Sequence, residues 1–565
     1  MPFRLFAALL LSLFAGGPVA AMDGPARATR QMVAAAHPLA AQAGLDILRA
    51  GGSAADAAVA IQAMLSVVEP NASGLLGGSL LLHWSASSRR LDGYEGLASA
   101  PAAAPARLAE GTDLTRGTPV SITRSGRAIG VPGALRMLAM VHADHGRLPW
   151  RDLLAPAIRV AEEGFPLPPT LHRILETRPA QLARDPDIRA LLFGADGSPL
   201  PVGALIRNPA QAAALRLLAE GGAEALYTGP LGRAVLNAVA REPLPGWMTA
   251  EDLAGYEARR RDPVCSPAFG RQVCSAAPPS AGVTVQQQLG LLERLGIARV
   301  APDSPEAAHL ILEASRLGTA DRRRWLGDPD RAAVPAEALV SEGYLKRRAA
   351  LVAPGQAMRD APAGNPLERQ GALPPPGDPL ALWGTSQAVV VDAAGNALSL
   401  TMTNNLNFGA ERLAAGIVLN NGLTNFAADP GPAGAPAFNR MEGGKRPATS
   451  MAPTIVLGAD GAPELLVGSA GGLRIIDSIV LATVEVLAWG ADARRATARP
   501  RIGAQMGREE LEEDSQAADL AGPLRAMGHR PVLREMNTGL QLIRRVPGGW
   551  EGAADPRRDG VALGD

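Results

Sequence analysis

From Trp383 to Thr403 the chain reads Trp383-Gly384-Thr385-Ser386-Gln387-Ala388-Val389-Val390-Val391-Asp392-Ala393-Ala394-Gly395-Asn396-Ala397-Leu398-Ser399-Leu400-Thr401-Met402-Thr403. Ser386 to Val391 and Ala397 to Thr403 are extended runs around a turn at Ala393 to Asn396, which predicts a β-hairpin. Upstream, Leu351 to Pro379 shifts to Pro, Gly, Ala and charged residues and includes Pro374-Pro375-Pro376, which continues neither a helix nor a central strand. An exposed linker is therefore expected to end at a threonine that heads a strand.

That junction carries chemistry. A threonine hydroxyl is a poor nucleophile unless a base takes its proton, and an N-terminal threonine carries that base as its own amine, with a pKa of about 8. Such an amine exists only if the preceding peptide bond is cut. Gly384 has no side chain to obstruct attack by the Thr385 hydroxyl on its carbonyl, so an N-to-O acyl shift followed by hydrolysis would release Thr385 without a protease. Taken alone, a linker followed by threonine is a common arrangement; the surrounding segments give it weight.

Working outward, Met451 to Leu457 and Pro463 to Val467 form a second hairpin pattern around Ala459 to Gly461, followed by a helix expected from Leu473 to Trp489. Pro38 to Val68 reads as two helices broken at Gly51-Gly52. Ser79 to Trp84 and the run ending at Leu97 read as another hairpin, and Pro132 to about Ala320 is predominantly helical. Strands with helices on either side suggest stacked layers with the sheets inside.

At 565 residues the chain exceeds one ordinary core. It is 47% hydrophobic, with 55 basic and 55 acidic residues, so no net field exists to attract nucleic acid or anionic lipid. A small-molecule amide or peptide is the expected partner. Arg4, the apolar run Leu5 to Ala15, the breakers Gly16, Gly17 and Pro18 and the small residues Val19 to Ala21 read as a secretion signal over residues 1–21. The apolar run is short for a membrane span, the alternative being a retained anchor. A secreted or periplasmic protein without a membrane segment is then expected. Cys265 and Cys274 flank a Pro-Ala-Phe-Gly turn; a disulfide and two small buried residues are both open. His142 and His145 flank Ala143-Asp144 without a zinc pattern and read as surface residues. Neither a metal nor another cofactor is expected, and the glycine-rich pieces lack nucleotide-binding spacing.

Several segments together resemble the gamma-glutamyltransferase family. They are Thr385-Ser386 with Val390-Val391-Asp392, Gly395-Asn396 and Thr401 to Gly409; Lys445-Arg446-Pro447 with Thr449-Ser450-Met451 and Pro453-Thr454; and Gly468-Ser469, Gly471-Gly472 and Arg474-Ile475-Ile476. Upstream, Gly51-Gly52, Ala55 to Ala58 and Gly77-Gly78 fit as well, and Ala554-Asp555-Pro556-Arg557 extends the likeness to the end of the chain. The resemblance implies a four-layer αββα sandwich of the N-terminal nucleophile hydrolase type, with additional helices from a large subunit. It also implies that residues 22–384 and 385–565 become large and small fragments of one intertwined unit. It casts Thr385 as nucleophile, Thr403 as the threonine that orients it, and Gly471 and Gly472 as the oxyanion hole, the last suited to that task because glycine N–H groups before a helix are unobstructed. Asn405, Thr449 and Ser450 match substrate-binding positions, either of the last two being alternatively a turn cap.

The chain departs from the family where a γ-glutamyl group would be held. The family's arginine is replaced by Tyr94, before the expected Glu95, and its two acidic positions after Asn420-Asn421 read Gly422 and Asn425. Tyr94 and Asn425 would then contact substrate only as neutral groups, and losing charged partners weakens ordinary γ-glutamyl recognition. Two enzyme readings stay open: transfer or hydrolysis of a γ-glutamyl group from glutathione or related amides, with charges supplied elsewhere, and hydrolysis of a non-glutamyl acyl amide, as in cephalosporin-acylase-like relatives. A catalytically silent periplasmic binding protein is the reading from another class. The Pro- and Gly-rich stretch from Asp429 to Gly444 reads as a lid or an inert connection.

Overall fold

The structure is a computed structural model that describes residues 24–110, 121–368, 371–379, 384–505 and 507–565. The expected secretion signal lies outside the described residues. Two seven-stranded antiparallel sheets form the centre. One runs in the order Val561–Gly564, Met32–Ala35, Ser386–Val391, Ala397–Thr403, Gly78–Ser85, Arg90–Gly96, Arg259–Arg260. The other runs Ala26–Ala28, Gly549–Ala554, Gln541–Val546, Pro463–Gly468, Thr454–Leu457, Arg271–Ser275, Val264–Ala268.

Alternation decides the layering. In the strand Ser386–Val391, Val389 and Val391 face the second sheet and pack with Ile455, Leu466 and Ile543. Ala388 and Val390 face the other way, onto the helices Pro38–Arg49 and Ala54–Val68. Every position of this strand is buried, so it lacks the polar face of a solvent-exposed sheet. The outer face of the second sheet is covered by the helices Gly282–Arg294, Pro305–Trp325 and Arg474–Leu487. The result is the four-layer αββα sandwich.

The helix Ala54–Val68 shows how local sequence serves this packing. Ser53 and Asp56 close a capping box at its start, and its small residues let it lie buried on all sides. A Cβ on Gly44 would come within 2.7 Å of Ile61, so glycine sets the close approach of the two helices. The expected Leu473 to Trp489 helix spans Arg474–Leu487. The linker is less free than its composition suggests. It docks on the helix Pro305–Trp325, whose side chains replace a missing ladder: Asp321 accepts from the Gly364 N–H at 2.6 Å, Trp325 donates to the Gly364 carbonyl, and Arg323 pairs with Asp378.

Candidate active site

The register between Ser386–Val391 and Ala397–Thr403 pairs Ser386 with Met402 and so sets Thr385 opposite Thr403. Their hydroxyl oxygens are 3.1 Å apart. The Gly384 carbonyl oxygen accepts from both hydroxyls, and Thr403 Oγ1 in turn accepts from the Asn405 N–H at 2.8 Å. The Thr385 hydroxyl thus lies against the carbonyl of the peptide bond that precedes it, and the Thr403 hydroxyl is a second donor to that carbonyl. A Cβ on Gly384 would lie 2.8 Å from the Asn407 nitrogen and 2.9 Å from the Asn405 oxygen. Glycine is therefore required here by packing as well as by access to the carbonyl.

Sequence reasoning missed the groups that hold this strand end. Ser386 donates to the Glu69 carboxylate and accepts from Ser73 at 2.8 Å. Arg558 donates to the Thr385 carbonyl at 2.8 Å and lies 3.9 Å from Glu69. Burial pushes Glu69 up to about 7, against the lowering effect of Arg558 and Ser386. The signals were present: Glu69-Pro70 precedes the Gly77-Gly78 segment, and Arg558 follows Asp555-Pro556-Arg557. Their convergence required the fold.

Beside Thr403 is a cavity of about 20 Å³, room for about one water, lined by Thr403, Asn404, Asn405, Asn420, Gly422, Asn425 and Thr449 together with Gly78, Leu97, Ala98, Pro447 and Met451. None of these carries a charge. Asn405 adopts φ 79° and donates from Nδ2 to Thr424 at 2.6 Å and to the Asn421 carbonyl at 3.2 Å. The Asn425 side-chain oxygen and that of Asn404 are buried without partners, and both residues line this cavity. The Thr449 hydroxyl accepts from the Met451 N–H at 3.2 Å, which is the turn-capping alternative realised at a cavity-lining residue. Ser450 is buried and does not line the cavity.

Tyr94 is also away from it. Its hydroxyl lies 2.8 Å from both Asp144 and His145 on the helical side of the sheet. The adjacent Glu95 faces the opposite way and is held by Arg261 and Arg446, the latter at 3.0 Å. Successive strand residues point to opposite faces, so Tyr94 and Glu95 cannot serve one pocket together.

Gly471 and Gly472 adopt φ 126° and 65° ahead of the helix Arg474–Leu487. Among the described residues no hydrogen bond leaves either N–H. A Cβ on Gly471 would lie 3.2 Å from the Asn537 carbonyl oxygen, which accepts from Arg558, the residue that also holds the Thr385 carbonyl. The glycine pair thus connects to Thr385 through Asn537 and Arg558.

Outside the site, Cys265 and Cys274 face each other in register and are joined by a disulfide. His142 and His145 are half-buried rather than surface residues: His142 lies 2.8 Å from the Leu148 carbonyl, and His145 stacks on His83 with centroids 3.8 Å apart. The structure instead gathers His309, Glu313 and His529. Asn439, within the proline-rich loop, donates to the Asn425 carbonyl at 2.7 Å. Ala435 to Phe438 of that loop and Gly371 to Pro375 of the linker enclose a cavity of about 420 Å³. No helix among the described residues is long and apolar enough to cross a membrane.

A family model described as gamma-glutamyltranspeptidase matches residues 40–565. A glutathione hydrolase proenzyme of Bacillus subtilis (strain 168) is 32% identical over 546 residues, covering 94% of this chain and 91% of the relative. An acylase ACY 1 proenzyme of Pseudomonas sp. (strain V22) is 36% identical over 550 residues, covering 95% and 94%. Among solved structures, cephalosporin acylase from Bacillus halodurans superimposes with a TM-score of 0.84 at 26% identity, covering 98% of this chain and 99% of that one.

Proposed function

Since the chain belongs to the gamma-glutamyltranspeptidase family, whose relatives here are hydrolases and acylases of amides, we propose that it is a self-maturing threonine amidohydrolase whose acyl donor lacks the charged head of a γ-glutamyl group. The observation that carries the choice of donor is the neutral cavity at Thr403, Asn405, Gly422, Asn425 and Thr449. A free α-carboxylate and α-ammonium placed against these residues would meet no charged side chain among them, which costs several kcal/mol. A neutral head with an amide N–H could instead donate to the unpartnered Asn404 and Asn425 oxygens. The expected export of the chain remains part of this reading.

In maturation, Thr385 Oγ1 attacks the Gly384 carbonyl carbon while Thr403 donates to its oxygen. The C–N bond breaks, the Thr385 nitrogen takes the hydroxyl proton, and water hydrolyses the resulting ester to a Gly384 carboxylate. In turnover, the freed amine takes the Thr385 hydroxyl proton as the oxygen attacks the substrate amide, then delivers it to the leaving amine. The N–H groups of Gly471 and Gly472 hold the oxyanion, and water releases the acyl group from Thr385. Such donors are worth about 3 to 4 kcal/mol each in other hydrolases.

The test is intact mass and N-terminal sequencing of the wild type beside Thr385→Ala. Fragments beginning Thr-Ser-Gln-Ala are expected in the wild type alone, and an uncut wild-type chain would point to the silent binding protein. The cut enzyme is then offered an uncharged acyl anilide and a γ-glutamyl anilide. Preference for the γ-glutamyl compound would show that charges outside this cavity recreate glutamate recognition.

A further inference from the structure

We infer that His309, His529 and Glu313 form a binding site for one divalent metal ion of the zinc class, joining the helix Pro305–Trp325 to the C-terminal part of the chain. His309 and Glu313 are four residues apart and so share a face of that helix. His529 follows the helix Ala521–Ala526. All three are buried, and one ligand atom from each lies within 4.8 Å of the others.

The hydrogen bonds around the two imidazoles decide where their protons are. His309 Nε2 lies 2.9 Å from the Ala353 carbonyl oxygen, which only accepts, so that nitrogen carries the hydrogen. His529 Nδ1 lies 3.0 Å from the Glu509 carboxylate, which also takes the Arg530 N–H, so it too carries the hydrogen. The remaining nitrogens, His309 Nδ1 and His529 Nε2, then present lone pairs to each other at 2.8 Å. Two lone pairs at that distance repel, and a cation between them removes the conflict.

A metal ion suits the surroundings better than an extra proton. An imidazolium buried here would lose its hydration, whereas a metal ion binds the neutral ring that the hydrogen bonds already define. The outer partners are those that fix metal-binding histidines elsewhere, a backbone carbonyl on one ring and a carboxylate on the other. Two histidines and a glutamate are a zinc donor set. Glu313 and Glu509 bring two negative charges, against which Arg316 sets one positive charge, 2.7 Å from Glu313 and 3.6 Å from Glu509; Glu306 adds a more distant negative charge. Two nitrogens bound tetrahedrally to zinc are about 3.3 Å apart, so the pair must open by about half an ångström, a small rotation of each ring. The Glu313 carboxylate also receives the Met358 N–H at 3.3 Å, so the same cluster anchors the start of the linker.

The test uses the untagged full-length chain. Elemental analysis should find about one zinc per chain in the wild type. After chelation, the melting temperature should fall, and added cobalt(II) should give a tetrahedral visible absorption band. His309→Gln and His529→Gln should lose both the zinc and the band. Glu509→Gln keeps all three ligands, protects against failure of the histidine variants to fold, and should bind about 10- to 100-fold more weakly. A folded wild type that holds no zinc and gives no cobalt band overturns the inference, leaving a shared proton between the rings. Unchanged binding by the His529→Gln and Glu509→Gln variants would place any metal elsewhere and overturn it equally.

Discussion

Thr403 occupies a position that few side chains can fill: its hydroxyl accepts from Asn405 N–H and donates to the Gly384 carbonyl oxygen while facing the Thr385 hydroxyl. Thr403→Val keeps the shape and removes the donor. Fragment formation, followed by denaturing electrophoresis over time, should slow by about 10²- to 10³-fold, with Thr403→Ser retaining most of the rate. Glu69 supplies a pH-dependent prediction. Its folded pKa of about 7 lies above its ordinary value of 4.5, so between these pH values the folded state binds more protons than the unfolded one. Stability therefore falls as pH rises through this window. Glu69→Gln removes that contribution, and denaturant midpoints of the variant between pH 5 and about 7 should decline less steeply than those of the wild type. At this scale Thr385 and Gly384 were legible because a small residue before a strand-heading threonine is a local property, and Thr403 was legible through the family resemblance and its place on the paired strand. Glu69 and Arg558 were not, because they reach Ser386 and Thr385 respectively from segments remote in sequence.

Elements bring these residues together by close backbone approach. A Cβ on Gly77 would lie 2.2 Å from the Thr403 carbonyl oxygen and 2.8 Å from Asn404 Oδ1. Gly77→Ala should consequently push the end of the Thr403 strand outward and slow fragment formation although it removes no reacting group; an unaltered time course would refute this. Ser53→Ala breaks the capping box of the helix Ala54–Val68 and should cost about 1 kcal/mol in chemical denaturation. The disulfide closes a loop with a sequence separation of 9 at the edge strand Val264–Ala268. Replacing both cysteines by serine should cost about 2 to 3 kcal/mol and leave maturation intact, because neither sulfur touches the site. The hairpins were readable from extended runs around turns, and the buried helix from its run of small residues. The face that each strand turns to the site was less so: Tyr94, expected beside the substrate, points to Asp144 and His145.

For the whole molecule, the order of strands matters more than their number. Met32–Ala35 lies between Ser386–Val391 and Val561–Gly564, and Gly78–Ser85 pairs with Ala397–Thr403. The segments before and after Gly384 therefore share the same sheet. A cut at Gly384 breaks none of these ladders. Cleaved protein should run as one particle in native size-exclusion chromatography and separate into two chains only in denaturant; separation under native conditions would contradict this topology.

The sequence by itself determined the local propositions: a threonine heading a hairpin, a glycine before it, and a glycine pair ahead of a helix. These depend on side-chain chemistry and short-range periodicity, which a chain carries wherever it folds. Only the tertiary structure decided that the cavity beside Thr403 is neutral on every side, that Glu69 and Arg558 hold Ser386 and Thr385 at the end of their strand, and that His309 meets His529. Each depends on segments more than 150 residues apart, brought together by long-range strand pairing and layer packing that no local pattern encodes.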